Sequence, residues 1–332
     1  MSDPLPSIDL ASLAPGMPGR SRMLEALGDA ARNLGFFRVV AHGVPARLDI
    51  ALLDQAARLF ALPHDEKLAI AMLDSPQFRG YTCAGAEITC GKADWREQLD
   101  IGREESVLSS PQAHVAMRLH GPNRWPATLP TLRPVVQAWQ SAIEQLMVRV
   151  LEACAEALHQ PRDVFAPLHR GDPWHTMKLI RYPGETAASA GQGVGAHKDG
   201  ELLSLIFQDS QGGLQVQTTE GGWIEASPQP GSYVVNIGEQ LELASDGYLK
   251  AAVHRVISPP VGRERLSAAF FLGARLDSVI PSLQLPPALA AQATGYTRDP
   301  DNPLFHDVGV NTLKGRLRSH PDVAARHHAD LL

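Results

Sequence analysis

From Trp174 to Leu272 the chain reads as a series of short apolar strands punctuated by Gly and Pro: WHTMKLIRYP, LLSLIFQD, GLQVQ, GGWIEA, SYVVNIG, AAVHRVIS and LSAAFFL. Closely spaced strands with turn formers between them are the pattern of a sandwich or jelly roll. The expectation is a mainly β protein with flanking α: a double-stranded β-helix (jelly roll) core with an N-terminal helical and strand region and a C-terminal helical tail. The corresponding divisions are 1–120 for the N-terminal region, 121–170 for a connector and scaffold helix, 171–280 for the core and 281–332 for the tail.

Two of these strands carry groups able to hold a metal. GVGAHKDGELLSLIFQD places His197 and Asp199 two residues apart. On a strand, residues i and i+2 share a face, so imidazole and carboxylate converge. After 54 intervening residues, AAVHRVIS brings His254 on a second apolar strand. Two His and one carboxylate without a fourth protein ligand make the facial triad of non-haem Fe(II) sites, leaving three coordination positions open. Arg265 and Ser267 follow on the next strand, sharing a face, and an Arg beside a hydroxyl suits two-pronged capture of a carboxylate. A lone H-x-D arises by chance at many polar strand ends; the conjunction carries the weight.

That conjunction of H-x-D, a strand carrying His, then R-x-S resembles the isopenicillin N synthase-like family of Fe(II)- and 2-oxoglutarate-dependent oxygenases. GFFRVVAHGVP and LFALPHDEK resemble the family's N-terminal wording as well. The resemblance implies that His197, Asp199 and His254 are the catalytic iron ligands. It implies that Arg265 and Ser267, with Tyr182, bind 2-oxoglutarate, and that O₂ is the oxidant. The reaction would be hydroxylation of an unactivated C–H bond of a small molecule, with release of succinate and CO₂. R-x-S marks a carboxylate without saying whose. In isopenicillin N synthase itself the Arg and Ser hold the substrate's carboxylate and no 2-oxoglutarate is used, so an oxidase or ring-closing enzyme is the second reading. Ile180 stands where some relatives carry Asn. Gly200-Glu201 follows H-x-D in place of the aromatic residue of ethylene-forming relatives. A non-catalytic jelly-roll binder would be expected to have lost part of the triad or Arg265, and zinc hydrolysis leaves R-x-S without a job.

The remaining chain supplies a scaffold. Residues 5–45 give a short strand in PSIDL, then Met23, Leu24, Leu27, Ala30, Ala31 and Leu34 at helical spacing with Gly35 as a stop, then the buried strand FFRVV. His42, at the turn that follows, is expected to hydrogen-bond structurally. RLDIALLDQAARLF reads as a second helix, and Leu132 to Leu158 as a long apolar-striped scaffold helix bearing Cys154. Residues 75–105 read as a loop-rich segment; the family resemblance implies that it approaches the mouth of the site, making Tyr81, Glu87, Thr89 and Asp94 candidate substrate contacts. Arg181, opposite Tyr182, is expected at the surface. ETAASAGQGVGA reads as a flexible approach to His197. The tail carries Lys314, Arg316 and Arg318, which read either as a solvated helix face or, as the family resemblance implies, as part of a lid; His327-His328 reads as a polar terminus.

Composition narrows the partners. A net charge of -6 leaves no basic footprint for nucleic acid. No apolar run is long enough to span a membrane, and MSDPLPSIDLASL lacks the layout of a signal peptide. The 44% hydrophobic and 20% charged content fits a globular protein. Cys83, Cys90 and Cys154 are odd in number and form no disulfide framework. The expected setting is the cytoplasm, with a small-molecule substrate and no obligate protein partner.

Overall fold

The computed structural model describes residues 5–89, 91–107, 114–171, 173–185, 191–300 and 302–332. Cys90 and residues 186–190 of the ETAASAG stretch lie outside the described residues. The strands are β1 Ser7–Asp9, β2 Phe36–Val40, β3 Gly80–Thr82, β4 Ile88–Thr89, β5 Lys92–Ala93, β6 Glu97–Gly102, β7 His175–Tyr182, β8 Gln192–His197, β9 Leu203–Gln208, β10 Leu214–Gln217, β11 Trp223–Glu225, β12 Tyr233–Ile237, β13 His254–Ile257 and β14 Arg265–Leu272. The helices are α1 Arg20–Asn33, α2 Ala46–Phe60, α3 His64–Leu68, α4 Leu132–Ala157, α5 Ala166–His169, α6 Glu239–Ala244, α7 Pro287–Ala290, α8 Val308–Ser319 and α9 Pro321–His327.

Eight strands form the major sheet in the order β1-β2-β12-β9-β14-β7-β6-β3, and β11-β10-β13-β8 form the minor sheet opposite it. Ile180 and Tyr182 of β7, Val194 of β8, Leu214 and Val216 of β10, Val234 of β12 and Val256 of β13 pack into the apolar layer between the sheets. This is the jelly-roll interior. The alternate residues of the major sheet, such as Met177, Leu179, Val235 and Phe270, face the other way into a larger core that includes Leu27, Leu52, Trp139 and Leu146 of α1, α2 and α4. With both faces covered, strands of the major sheet can be buried along their whole length, as Tyr233–Ile237 of β12 is. The N-terminal region contributes β1, β2, β3 and β6 directly to that sheet.

Residues 75–105 differ from the loop reading. They hold β3, β6 and the β4–β5 hairpin, and every residue of β6 is buried. Polar side chains hide the strand pattern, and their charges are met from afar. Glu97 accepts from Lys67 at 2.8 Å, Tyr81 at 2.5 Å and Arg181 at 2.5 Å. Arg181 is therefore a half-buried bridge between Glu97 and Glu264, not a free surface charge. Gln192 to Ala196, expected as part of a flexible approach, belong with His197 to strand β8, paired to β13. His42 accepts a hydrogen bond from the Val44 amide at 3.1 Å and packs against Tyr233.

The tail ends in α8 and α9. His327 and His328 are anchors where a polar terminus was expected. His328 is 1% exposed, stacks on Phe78 with ring centroids 5.1 Å apart, and lies 2.7 Å from the Pro76 carbonyl. His327 meets the Leu73 carbonyl at 2.9 Å. No helix among the described residues is long and apolar enough to cross a membrane.

Candidate active site

His197 closes β8 and His254 opens β13, and the two face each other in register across the strand pair, rings 4.3 Å apart. Asp199 is not on the strand. It lies two residues past the end of β8, where its carbonyl accepts from the Glu239 amide at 2.8 Å. The turn, not the pleat expected for H-x-D, brings the carboxylate round. His197 Nε2 is 3.5 Å from Asp199 Oδ1, and His254 Nε2 is 3.7 Å from Oδ2. The three side chains offer ligand atoms within 4.8 Å of one another, and no other such group of three occurs among the described residues.

The surroundings aim these atoms. Nδ1 of His197 meets the Gly195 carbonyl at 2.8 Å, and Nδ1 of His254 meets the Ala252 carbonyl at 3.3 Å. Both rings thus turn Nε2 toward the shared point. Asn236 donates from Nδ2 to Asp199 Oδ2 at 2.9 Å. Burial opposes the Asp199 charge, but His254 and His197 outweigh it and hold the carboxyl well below the usual range. Burial, with His197 beside it, pushes His254 down to about 4. Burial also presses on His197, but Asp199 outweighs it and lifts that imidazole above its ordinary value. A neutral imidazole and an ionised carboxylate are the forms that bind a divalent cation.

Beside the triad, Arg265 and Ser267 share a face of β14, and Arg265 pairs in register with Tyr182 of β7. Arg265 is 1% exposed. Its Nη1 donates to Ser267 Oγ at 3.1 Å, its Nη2 donates to Gln208 Oε1 at 2.9 Å, and the guanidinium lies 4.9 Å over the Tyr182 ring. Nε has no hydrogen-bond partner, and no carboxylate among the described residues forms an ion pair with Arg265. A buried cation without a counter-charge is costly, so this wall of the cavity is built for an anion.

The cavity has a volume of about 740 Å³; the triad, Arg265, Ser267 and Tyr182 line one side, and Lys314, Arg316 and Arg318 of α8 line the other. Glu87 and Thr89 line it too. Glu87 is committed to Arg96 at 2.7 Å and Lys178 at 3.0 Å; burial opposes its charge, but these cations outweigh it and hold the carboxyl well down. Asp94 is fully buried behind the wall, accepting from Thr89 Oγ1 at 2.7 Å and from Gln192 Nε2 and the Gly195 amide at 3.0 Å. It props β8 and does not line the cavity. Tyr81 also stands outside the cavity, its hydroxyl spent on Glu97. Reading the chain alone misses Arg96, Gln208, Asn236, Glu201 and Glu239. Gln208 and Asn236 have no local signature, because each reaches the site only through pairing of distant strands.

Comparison with known proteins agrees with this geometry. Residues 5–128 match the family described as non-haem dioxygenase in morphine synthesis N-terminal, and residues 173–274 match the 2OG-Fe(II) oxygenase superfamily. The 2-oxoglutarate-dependent dioxygenase frbJ of Dothideomycetidae sp. is 33% identical over 340 residues, covering 98% of this chain and 92% of that protein. The homoarginine-6-hydroxylase 2-ODD-C23 of Glycine max is 33% identical over 273 residues, covering 80% and 82%. The crystal structure of a 2OG-Fe(II) oxygenase family protein from Caulobacter crescentus has a TM-score of 0.77 at 28% identity, covering 96% and 99%. These relatives support 2-oxoglutarate dependence and not the oxidase alternative. The chain belongs to the 2OG-Fe(II) oxygenase superfamily and is a 2-oxoglutarate-dependent dioxygenase.

Proposed function

We propose that this dioxygenase hydroxylates an unactivated C–H bond of a small molecule held between the triad and α8. His197, Asp199 and His254 would hold Fe(II), and Arg265 with Ser267 would receive the far carboxylate of 2-oxoglutarate. One observation carries the assignment: a fully buried guanidinium with no carboxylate partner stands beside a cluster of metal-ligand type. Fe(II) with 2-oxoglutarate and O₂ supplies the oxidising chemistry, releasing succinate and CO₂.

The chain's own residues position the reactants and keep water away. Asn236 fixes the orientation of the Asp199 carboxylate, and the carbonyls of Gly195 and Ala252 fix the two rings. Ile180, Val194, Leu214 and Val256 give the cavity floor an apolar surface. A dry pocket strengthens every charge contact inside it. Tyr182 backs the guanidinium with its ring face. Several relatives are named hydroxylases, which favours hydroxylation as the outcome. We assign α8 and the rest of the 281–332 tail the role of a lid. Cys83 and Cys154 are free thiols, the first exposed, which suits a reducing cytoplasm.

The test is succinate release under air from Fe(II)-loaded protein given 2-oxoglutarate and no further substrate. Slow release that disappears in His197→Ala is the expected result. No release, together with no 2-oxoglutarate binding by calorimetry, would overturn the assignment.

A further inference from the structure

Resting on that reading, the charges around the cavity narrow the class of substrate. The formal charges of Fe(II), Asp199, 2-oxoglutarate and Arg265 cancel. A second group of charges is self-contained: Arg96 meets Glu87 at 2.7 Å and Asp94 at 3.6 Å, Lys178 meets Glu87 at 3.0 Å and Asp100 at 3.8 Å, and Arg316 meets Asp100 at 3.0 Å. Three cations face three carboxylates there.

Asp299, Lys314 and Arg318 also line the cavity, and two further carboxylates stand there without an ion pair among the described residues. Glu201 and Glu239 both line the cavity, and no Lys, Arg or His among the described residues reaches either within ion-pair distance. Lys198, the nearest cation in sequence, is engaged with Glu242 at 3.2 Å and Thr297 at 2.8 Å, and Lys314 donates to the Pro303 carbonyl. The two acids are held as one wall. The Glu239 amide donates to the Asp199 carbonyl at 2.8 Å, and the Gln240 amide to the Glu201 carbonyl at 3.3 Å. Glu239 Oε2 lies 3.9 Å from where a Cβ on Gly200 would stand, so its carboxylate leans over the turn that carries Asp199.

A third acceptor points to the same ligand. Gln240 is 1% exposed, lines the cavity, and its side-chain Oε1 has no hydrogen-bond partner. A buried carbonyl left unpaired is costly and calls for a donor. We infer that the substrate carries a cationic nitrogen group, an alkylammonium or guanidinium, and that Glu201, Glu239 and Gln240 receive it beside the iron ligands. Such a group offers several N–H donors and a positive charge to two carboxylates and one unpaired amide oxygen.

The experiment uses protein loaded with Fe(II) and 2-oxoglutarate under nitrogen, titrated in a calorimeter with matched probes. L-Homoarginine is compared with L-homocitrulline, which has an uncharged urea in place of the guanidinium, and L-lysine, L-arginine and agmatine complete the cationic set. At least one cationic probe is expected to bind, and the homologous neutral probe to bind about tenfold more weakly. The preference is expected to fall to about twofold in Glu201→Gln/Glu239→Gln. The single variant Glu239→Gln, isosteric and free of a buried charge, serves where the double variant melts early. Equal affinity for cationic and neutral probes, a preference that survives the double variant, or binding of none of the cations overturns the inference. Substrate-free succinate release by the wild-type enzyme separates this failure from failure of the oxygenase reading itself.

Discussion

Arg316 on the C-terminal helix α8 reaches Asp100 on strand β6, with Nη1 3.0 Å from Oδ1, and so ties the outer wall of the cavity to the major sheet. Asp100 is 1% exposed and also faces Lys178 at 3.8 Å. Asp100→Asn leaves Arg316 without a carboxylate partner among the described residues and Lys178 with Glu87 alone, in a largely buried place. The expected loss of stability is about 3 kcal/mol, read from urea unfolding. Amide hydrogen exchange across residues 308–319 should rise more than elsewhere. Unchanged exchange there would mean that the helix is held by other contacts.

Asn236 acts on the metal through Asp199. Removing its amide in Asn236→Ala frees the carboxylate to rotate away from the shared ligand point. Loss of such an orienting hydrogen bond costs about 10–100-fold in metal affinity. Calorimetry with Mn(II) as an air-stable probe would measure this, and an affinity within twofold of wild type would refute it.

Arg265→Lys keeps the charge but loses the planar fork that spans Ser267 and Gln208. The expected outcome is an affinity for 2-oxoglutarate lower by about 10–100-fold, the range of a charge-assisted hydrogen bond. Mn(II) binding should stay near wild type, since Arg265 touches no metal ligand. Parallel weakening of both would instead indicate a disturbed fold.

His175 predicts a pH dependence. It packs against Phe270 with ring centroids 4.9 Å apart, and burial, with Arg103 and Arg79 nearby, pushes its imidazole down to about 3. Its proton therefore binds the unfolded chain from the ordinary imidazole range downward, but binds the folded chain only near pH 3. Stability is then intact above about pH 6.5 and falls with decreasing pH, by about 1.4 kcal/mol per pH unit for this one group. In chelator-treated protein, His175→Phe should flatten that slope between about pH 6 and pH 4. An unchanged slope would assign the acid sensitivity to other groups.

What the chain alone reveals about the site depends on how local each contact is. H-x-D is legible because a strand end and one turn set the two ligands, even though the turn rather than the pleat does the positioning. Arg265 and Ser267 are legible because a single strand face carries both. Gln208 is not, because its neighbourhood with Arg265 exists only once β9 lies against β14. Residues 97–100 mislead in a different way. Glu97, Gln98 and Asp100 look like exposed loop polarity, yet they are buried, since Lys67, Lys178 and Arg181, and Arg316 arrive from three other parts of the chain to neutralise the two carboxylates. Hydrophobic period sees apolar faces and is blind to charges that cancel at long range. The tail is hidden for the same reason. Nothing local tells that His328 finds Phe78.

The clasp formed by His327 and His328 on residues 73–78 has an evolutionary side. This clasp and Arg316 help to fasten the C-terminal segment that lines the cavity, whereas His197, His254 and Arg265 belong to the strand ladders and Asp199 to the turn after β8. Substitutions within α8 can thus accumulate without moving a metal ligand. A lineage built this way can trade one substrate for another while its oxidising apparatus stays constant, and exchanging tail segments between relatives becomes a direct route to altered selectivity in the laboratory.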